Sequence, residues 1–517
     1  MTFEIVFVLL SLLGMVAALV ADKMRPGMIL FSVVVLFLCA GILTPKEMLE
    51  GFSNKGMITV ALLFLVSEGI RQSGTLGQVI KKLLPQGKTT VFKAQLRILP
   101  SVAFISAFLN NTPVVVIFAP IIKHWAKSVN LPATKFLIPL SYVTILGGIC
   151  TLIGTSTNLV VHGMILEAGF EGFSMFELGK VGIFIAIAGI IYIFLFSKRL
   201  LPDARPDTAV PDEEVEEGEK LHRVEAVLGA RFPGINKKLK DFNFQRHYGA
   251  EVKEIKTRNG QRFVTNLDDV VLHEGDTLVV MADDTFIPTW GESSVFVLLT
   301  NGNEPDTSGK KKRWFALLLL VLMIVGATVG ELPVTKEMFP DIKLDMFFFV
   351  SITTIIMAWT NLFPARKYTK YISWDILITI ACAFAISKAM VNSGVADCVA
   401  GFIIGLSDDY GPHVLLAILF VITNLFTELI TNNAAAALAF PLALSISAQL
   451  GVSPTPFFVV ICMAASASFS TPIGYQTNLI VQGIGNYKFT DFVRIGLPLN
   501  IIAFLISIFL IPLIWPF

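Results

Sequence analysis

The sequence predicts a polytopic α-helical membrane protein built as an inverted repeat, with a small soluble α/β domain inserted between the halves. Three observations predict this fold class: the composition, the apolar segments, and a pattern of the first half that returns in the second. Of the 517 residues, 54% are hydrophobic and only 15% are charged, whereas soluble domains carry roughly 25% charged residues. We therefore expect a first transmembrane repeat over 1–201, an inserted domain with its linker over 202–310, and a second repeat over 311–517.

Each half is predicted to contain five transmembrane helices and one re-entrant hairpin. A helix that crosses a bilayer needs about 20 apolar residues. Two stretches, 94–127 and 412–450, are too long for one helix and break at asparagines. We expect these two to enter and leave the membrane on the same side, with their non-helical backbone shielded from lipid. The ten predicted crossings, two of them interrupted by polar residues, are 3–20, 27–43, 57–72, 136–165, 179–197, 314–331, 344–362, 374–391, 455–485 and 494–515.

The basic residues of the loops predict the orientation in the membrane. With the N terminus outside and both hairpins non-crossing, twenty Lys and Arg residues fall on one side and five on the other. An excess of this kind is typical of the cytoplasmic side. We therefore expect a multi-pass protein of the plasma membrane or bacterial inner membrane, surrounded by lipid, with the inserted domain in the cytoplasm.

An internal repeat is visible in two pairs of segments. IGTSTNLVVHGM (153–164) returns as IGYQTNLIVQGI (473–484), and FLVSEGIRQSG (64–74) returns as FAISKAMVNSG (384–394), with the same offset in both pairs. Because each half has five crossings, which is an odd number, the second half must lie upside down relative to the first. Inverted repeats are typical of secondary transporters, whose sites lie near the membrane midplane between the repeats.

The hairpin tips can be aligned through their closing prolines. The tips are LNNTPVVVIFAP (109–120) and ITNNAAAALAFP (430–441), and Asn111 and Asn432 each lie nine positions before the closing proline. This spacing aligns Asn110-Asn111-Thr112 with Thr431-Asn432-Asn433. The two tips and the two interrupted helices thus give four breaks, two in each half.

The four breaks predict a site for a charged solute. Unpaired backbone groups are costly in hydrocarbon, but half-helix N-termini attract anions, and freed carbonyls with Ser, Thr and Asn oxygens can hold Na⁺. No Arg or Lys lies at the breaks, which favours a cation-coupled anion over a free anion channel. Polar residues of the interrupted helices expected to bind the anion are Thr157, Asn158, Thr477 and Asn478.

Glu428 is an ionisable residue close to the second tip, and the aligned position in the first half is Ala107. Ionisable residues inside a membrane are candidates for function. Three roles are open for this carboxyl: it could orient the tip, cap a half-helix, or carry a proton.

The insert has the pattern of a small α/β unit behind a flexible acidic linker. The linker, 202–219, contains eight acidic residues and three prolines. The segment 249–265 predicts a β-hairpin with a type I′ turn at Asn259-Gly260. Basic residues alternate with acidic ones along the insert, so a nucleic-acid partner has little support.

The tips and interrupted helices resemble the divalent anion/sodium symporter family (SLC13-like permeases), and CTLIGTSTNLVV and TPIGYQTNLIV are similar to its sulfate-permease-like branch. The insert resembles the TrkA-C module, also called RCK-C, in GINKKLKDFNFQRHYGAEV and VVLHEGDTLVV. The resemblance implies a homodimer, an elevator-like displacement, Na⁺ as coupling ion with no organic cofactor, and an unidentified small-molecule regulator of the insert. The resemblance also implies that Asn111, Thr112, Asn432 and Asn433 bind the anion. The implied Na⁺ ligands are Ser106, Asn110, Asn111 and Gly154 for one ion, and Thr427, Ile430 through its backbone, Asn432 and Gly474 for another.

The departures from the family pattern favour a compact oxyanion. The family's Ser-Asn-Thr tips become Asn-Asn-Thr and Thr-Asn-Asn here. The dicarboxylate branch has Thr-Pro-Pro-Asn after each break, where this chain has 155–158 TSTN and 475–478 YQTN. We therefore expect Na⁺-coupled symport of a divalent anion, with sulfate as the first candidate.

Two other functions stay open at this point. One is a dicarboxylate or other oxyanion carrier coupled to Na⁺ or H⁺, and the other is a ligand-gated anion channel. An enzyme is not expected, because HExxH, GxSxG and paired catalytic carboxylates do not occur in the spans. The insert is expected to regulate or to dimerise the protein, with a passive tether as the alternative.

Overall fold

The computed structural model of the chain consists of membrane-type helices and one small β-sheet. The structure describes residues 3–21, 24–85, 87–203, 222–229, 232–257, 261–283, 286–290, 295–300, 310–339, 342–405 and 411–517. The helices, in chain order, are α1 Phe3–Ala21, α2 Pro26–Cys39, α3 Pro45–Glu50, α4 Lys55–Gln72, α5 Thr75–Leu83, α6 Val91–Ser106, α7 Asn111–Ser128, α8 Leu137–Gly148, α9 Ser156–Glu167, α10 Gly179–Leu200, α11 Phe244–Tyr248, α12 Phe286–Trp290, α13 Lys310–Gly330, α14 Pro333–Met338, α15 Met346–Trp359, α16 Tyr368–Tyr371, α17 Trp374–Asn392, α18 Val395–Gly405, α19 Gly411–Leu429, α20 Asn432–Leu450, α21 Thr455–Ser466, α22 Gln476–Gly485 and α23 Phe489–Ile514.

The helices confirm a polytopic membrane protein. Within the described residues, eight helices are long and apolar enough to cross a membrane. Each predicted crossing coincides with a helix, or with two helices where an interruption is predicted. Two helices that the apolar pattern does not predict, α5 and α18, have only nine and eleven residues. They are too short to cross a bilayer, so a search for spanning segments passes over them.

The turns before α5 and α18 correspond to each other in the two halves. Gly74 and Gly394, which occupy equivalent positions of the repeated segments, have φ angles of 71° and 77°. This left-handed backbone conformation favours glycine, which has no Cβ to clash with the neighbouring carbonyl. Both glycines follow a serine that ends the preceding helix, so the same sharp turn is built twice.

All four predicted breaks are present in the structure. The first hairpin breaks between α6 and α7, and the second breaks between α19 and α20. Their second arms begin at Asn111 and Asn432, the two residues that the alignment on the closing prolines makes equivalent. The interrupted helices break between α8 and α9 and between α21 and α22.

Helix α20 lies at the centre of the helical bundle and brings elements of both halves together. Its sequence is rich in alanine, and 78% of its most apolar stretch is buried. It packs against α17, α18, α19 and α21, and also against α9 of the first half, while α7 of the first half packs against α22 of the second. Small side chains allow helices to approach closely in a membrane protein. The contacts between halves place each tip beside the interrupted helix of the other half.

The inserted domain contains a five-stranded sheet with the order β3-β2-β4-β1-β5. Every neighbouring pair in it is antiparallel. The predicted hairpin is confirmed as β2 and β3, with Ile255 opposite Phe263. Its turn at Asn259-Gly260, and the acidic linker from residue 204 onwards, lie outside the described residues. The strands are β1 His222–Leu228, β2 Glu251–Lys256, β3 Arg262–Phe263, β4 Thr277–Ala282 and β5 Phe296–Thr300.

Candidate functional site

The first hairpin tip contacts the interrupted helix of the second half. Asn111 is buried, and its Nδ2 donates to the Tyr475 hydroxyl at 2.6 Å. Its Oδ1 accepts from the Ser106 hydroxyl at 2.7 Å. The neighbouring Thr112 hydroxyl donates to Oε1 of Gln476 at 3.2 Å. Both polar residues that open α7 are therefore held by the residues that open α22.

The second tip makes the reciprocal contact with the first half. Oδ1 of Asn433 accepts from the Ser156 hydroxyl at 3.3 Å and from the Thr157 hydroxyl at 3.2 Å. Asn432, the residue before it, begins α20. The predicted residues Asn111, Thr157 and Asn433 thus lie in two hydrogen-bonded groups, which meet at the consecutive residues Thr155 and Ser156. Both halves contribute to the cluster that these two groups form.

Tyr475 is the member of this cluster that the sequence analysis does not select. It occupies the position that Thr155 has in the first half, and each of the two precedes a short helix. The Tyr475 ring is buried, and its hydroxyl also lies 3.1 Å from the Thr155 hydroxyl. Comparison of the two repeated segments could have singled out Tyr475, because this bulky aromatic residue replaces threonine within an otherwise similar motif.

Backbone oxygens line a tight cradle behind the first tip. A methyl group built on Gly154 would lie 2.5 Å from the carbonyl oxygen of Gly148 and 3.0 Å from that of Ala107. One built on Gly148 would lie 2.8 Å from Oδ1 of Asn111. The Thr151 hydroxyl donates to the Ala107 carbonyl and accepts from the Gly154 backbone N–H. The cradle therefore has no room for a side chain at Gly154, and carbonyl and hydroxyl oxygens surround this position.

A matching cradle lies behind the second tip. A methyl group built on Gly474 would overlap the Ser468 hydroxyl and the Thr427 carbonyl oxygen. The Thr471 hydroxyl donates to the Glu428 carbonyl at 3.0 Å and accepts from the Gly474 N–H at 3.2 Å. Thr151 makes the equivalent bonds in the first half. Ser468 stands where the first cradle has Gly148, so the second cradle gains a hydroxyl oxygen.

The predicted cation ligands fall around these two cradles. Ser106, Asn111 and Gly154 lie at the first, and Thr427 and Gly474 at the second. Hard cations are bound by oxygen ligands of this kind, namely carbonyls, hydroxyls and amides. Of the other predicted ligands, Asn110 lines a small cavity with Ser156, and Ile430 is buried just before α20.

Three predicted anion-binding residues hold the breaks in shape. Nδ2 of Asn158 donates to the Thr151 carbonyl, and Nδ2 of Asn478 donates to the Thr471 carbonyl. These equivalent bonds fasten the loop of each break to the helix that follows it. Thr477 accepts from the Ser141 hydroxyl of α8 at 2.8 Å, whereas its counterpart Thr157 contacts the second tip.

Glu428 caps the break in the second half. Its Oε1 accepts from the Ser470 backbone N–H at 2.9 Å and from Nδ2 of Asn500 at 2.7 Å, and its Oε2 accepts from the Thr471 backbone N–H at 2.8 Å. Backbone N–H groups left free by a broken helix favour a carboxylate as partner. Of the three roles open from sequence, capping is the one that this geometry displays.

The sequence of the chain matches that of a known transporter family. The citrate transporter family (CitMHS) matches residues 16–447 and 338–516. The chain belongs to the citrate transporter family. One relative is an uncharacterized transporter of Synechocystis sp., with 30% identity to this chain. The match covers 93% of this chain and 92% of the relative's length.

Two other relatives of this citrate transporter family member carry more specific names. Sodium/sulfate cotransporter 2 of Chlamydomonas reinhardtii is 30% identical over 56% of this chain and 32% of its own. A sodium-dependent dicarboxylate transporter of Staphylococcus saprophyticus is 24% identical over 29% of each chain. The resemblance to SLC13-like divalent anion permeases is thereby confirmed, and the family consists of transporters rather than enzymes. The resemblance of the insert to TrkA-C stays a prediction.

Proposed function

We propose that the chain is a Na⁺-coupled symporter of a divalent anion. The observation that carries this proposal is the cluster in which each tip meets the interrupted helix of the other half, flanked by two oxygen-lined cradles. In this arrangement Asn111, Thr112, Asn432, Asn433 and Thr157 bind the anion, and the two cradles bind Na⁺. Relatives named as sodium/sulfate cotransporters support the choice of ion.

The same proposal includes the inverted repeat. The equivalent hydrogen bonds of Thr151 and Thr471, and of Asn158 and Asn478, support two copies of one unit. The excess of basic residues in the predicted inner loops supports placing the insert in the cytoplasm. Association as a homodimer with an elevator-like displacement is part of the proposal through the family resemblance alone.

Sulfate is the proposed anion, and a carboxylate is the second candidate. The breaks lack the paired prolines of the dicarboxylate branch, and the Tyr475 ring fills space beside the first tip. Both features favour a compact anion. The family description names citrate, and one relative is named for dicarboxylates, so a carboxylate must be tested beside sulfate.

Coupling to Na⁺ has an energetic reason. Moving one charge across a membrane potential costs about 2.3 kcal/mol per 100 mV. Two negative charges that enter against an inside-negative potential therefore cost about 4.6 kcal/mol per 100 mV. Three or more Na⁺ ions carried in the same step would reverse the sign of this term.

Uptake into proteoliposomes tests the proposed function directly. Purified full-length protein is reconstituted, and labelled sulfate, succinate and citrate are offered in Na⁺ or in choline medium. We expect saturable sulfate uptake that requires Na⁺ and rises when the interior is made negative. Sulfate uptake of equal rate in choline would refute Na⁺ coupling, and uptake of succinate or citrate alone would move the substrate to a carboxylate. A rate that fails to saturate, together with single-channel currents, would indicate a channel.

The first cradle gives a sharper test of cation binding. Replacing Gly154 with alanine places a methyl group among the carbonyl oxygens of Gly148 and Ala107, so we expect a loss of Na⁺ stimulation of at least tenfold. The matched control is Gly405→Ala, because a methyl group there meets nothing within 4 Å. Normal Na⁺ activation of Gly154→Ala would remove this cradle from the cation path.

A further inference from the structure

The sheet of the inserted domain has two different faces. Alternate residues of the strands pack into the domain's own apolar core, among them Val224, Ala226, Leu278, Val280 and Ile255. The residues between them form the opposite face, which we call the docking face: Glu225, Val227, Thr277, Val279, Glu254 and Lys256. In a small antiparallel sheet such a face usually meets water. Here every member except Glu225 is buried, and the Glu225 side chain is only 15% exposed.

The docking face contacts two helices of the membrane part, α7 and α22. On α7, Nζ of Lys123 lies 2.9 Å from both carboxylate oxygens of Glu225. On α22, a methyl group built on Gly483 would overlap the Thr277 hydroxyl. Val227 joins the apolar core of the membrane helices. Among the described residues, the contacts that join the domain to the helical bundle therefore include an ion pair, a close approach and an apolar contact.

Charges continue across the docking face. Lys256 lies 3.5 Å from Glu225 and 3.9 Å from Glu254, and Glu254 pairs in turn with Arg262 of β3. Burial alone would raise the pKa of the Glu225 carboxyl, but the Lys123 and Lys256 ammonium groups outweigh it and lower that pKa to about 2. The Glu225 carboxyl is thus ionised at neutral pH. Polar contacts between domains are typical of surfaces that separate and rejoin, whereas permanent contacts are more apolar.

Both helices under the docking face begin at the proposed site. From Asn111 to Lys123 is twelve residues, about 18 Å along α7, and from Gln476 to Gly483 is seven residues, about 10 Å along α22. The first turns of these helices hold Asn111, Thr112 and Gln476, which contact one another or Tyr475 across the two halves. A contact that holds or displaces the docked end of either helix therefore also affects the position of the site residues at its other end.

We propose that the inserted domain is autoinhibitory: it docks on α7 and α22 and slows the transport cycle. The docked contacts exist in the arrangement described here, so they stabilise this arrangement over others. A cycle that must leave a stabilised state is slowed at that step. Release of the docking face, by a regulator or by substitution, then raises turnover without altering the affinity of the site. This inference rests on the proposed transport function.

Gly483 and Thr277 allow a test by steric clash and its relief. Gly483→Ala adds a methyl group against the Thr277 hydroxyl and at the same time favours the α22 helix itself, since alanine is the better helix former. Thr277→Ala removes the clashing hydroxyl, which is buried with no hydrogen-bond partner. In the double variant the added methyl group still lies 3.2 Å from the Gly275 carbonyl oxygen, and a shift of a few tenths of an ångström there lets the domain dock again. Gly401→Ala is the control, because its methyl group makes one ordinary contact at 3.7 Å.

Docking is measured apart from transport by a zero-length carbodiimide cross-link between Glu225 and Lys123 in the full-length protein. In this reaction the activated carboxyl forms an amide with the lysine amine, and the carbodiimide leaves as a urea. We expect Gly483→Ala to lower the yield of the cross-linked peptide at least threefold, and the double variant to restore it.

Uptake by the same variants decides the proposal. We expect Gly483→Ala to raise the maximal rate at least twofold, with the anion KM and the Na⁺ half-activation within twofold of the parent, and the double variant to return to the parental rate. An unchanged or reduced uptake rate in Gly483→Ala, with the cross-link lost, would refute the autoinhibitory role of the inserted domain. Wild-type protein that cross-links but takes up no anion with Na⁺ would instead refute the proposed function, and the docking result would stand separately.

Discussion

Asn111→Ala is expected to reduce anion uptake at least thirtyfold. The substitution removes the amide that donates to the Tyr475 hydroxyl and accepts from the Ser106 hydroxyl, and both partners are buried. A buried polar group left without a partner costs about 1–3 kcal/mol. The Ser106 hydroxyl is left in this way, whereas the Tyr475 hydroxyl keeps Thr155 as a partner. The proposed hydrogen bond from Asn111 to the charged anion is lost as well, at about 1.5–3 kcal/mol. The two losses together correspond to roughly 30-fold or more in rate or affinity. Initial rates of uptake in proteoliposomes measure the effect.

Two further variants separate loss of the site from loss of the fold. Asn392→Ala removes an exposed amide that bonds Ile42 and Glu47 far from the tips, and we expect its uptake to stay within twofold of the parent. Asn111→Asp keeps an acceptor for Ser106 but has no N–H to donate to Tyr475, so its uptake should also fall at least tenfold. Parental uptake by both Asn111 variants, at equal expression, would mean that the site lies elsewhere.

Glu428→Gln is expected to lower uptake by roughly tenfold to a hundredfold. Each carboxylate oxygen accepts from a backbone N–H of the break, Oε1 from Ser470 and Oε2 from Thr471. Glutamine puts an NH₂ group in place of one of these oxygens, so a donor would face a donor. The break then loses a charge-assisted hydrogen bond and leaves an unpaired N–H, at about 1–3 kcal/mol.

Glu47→Gln is the matched control for this prediction. Glu47 also caps a helix start, where it accepts from the backbone N–H and the hydroxyl of Thr44, but on the surface of the molecule. Water can replace its bonds, so we expect uptake to be unchanged. If Glu428→Gln transports as well as Glu47→Gln does, with the same Na⁺ dependence, the capping carboxylate is dispensable.

The helices and their breaks could be predicted because local chemistry determines them. Asparagines and prolines at the tips, and the small polar residues at 154–158, interrupt apolar runs wherever the rest of the chain lies. The hairpin β2–β3 could be predicted for the same reason, because its formation depends on residues that are close together in the sequence. The short helices α5 and α18 were missed, because the length criterion that finds spans excludes them.

The pairing of the site could not be predicted in the same way. The contacts of Asn433 with Thr157 and of Asn111 with Tyr475 join residues 276 and 364 positions apart, and they depend on how α9 packs on α20 and α7 on α22. The docking face was hidden for a related reason. Its alternation of Glu225, Val227 and Lys256 with apolar residues is what a solvent-facing strand would also show, and only the assembled molecule reveals what covers it.

The exchange of threonine for tyrosine between positions 155 and 475 has a consequence for the empty carrier. Two identical halves would make an unloaded molecule equally stable when open towards either compartment. In the proposed inverted repeat, each residue that differs between the halves removes that equality, and the Tyr475 ring does so together with Glu428 and Ser468. The unloaded protein is therefore expected to rest facing one compartment, and this aromatic side chain contributes to the direction in which it rests.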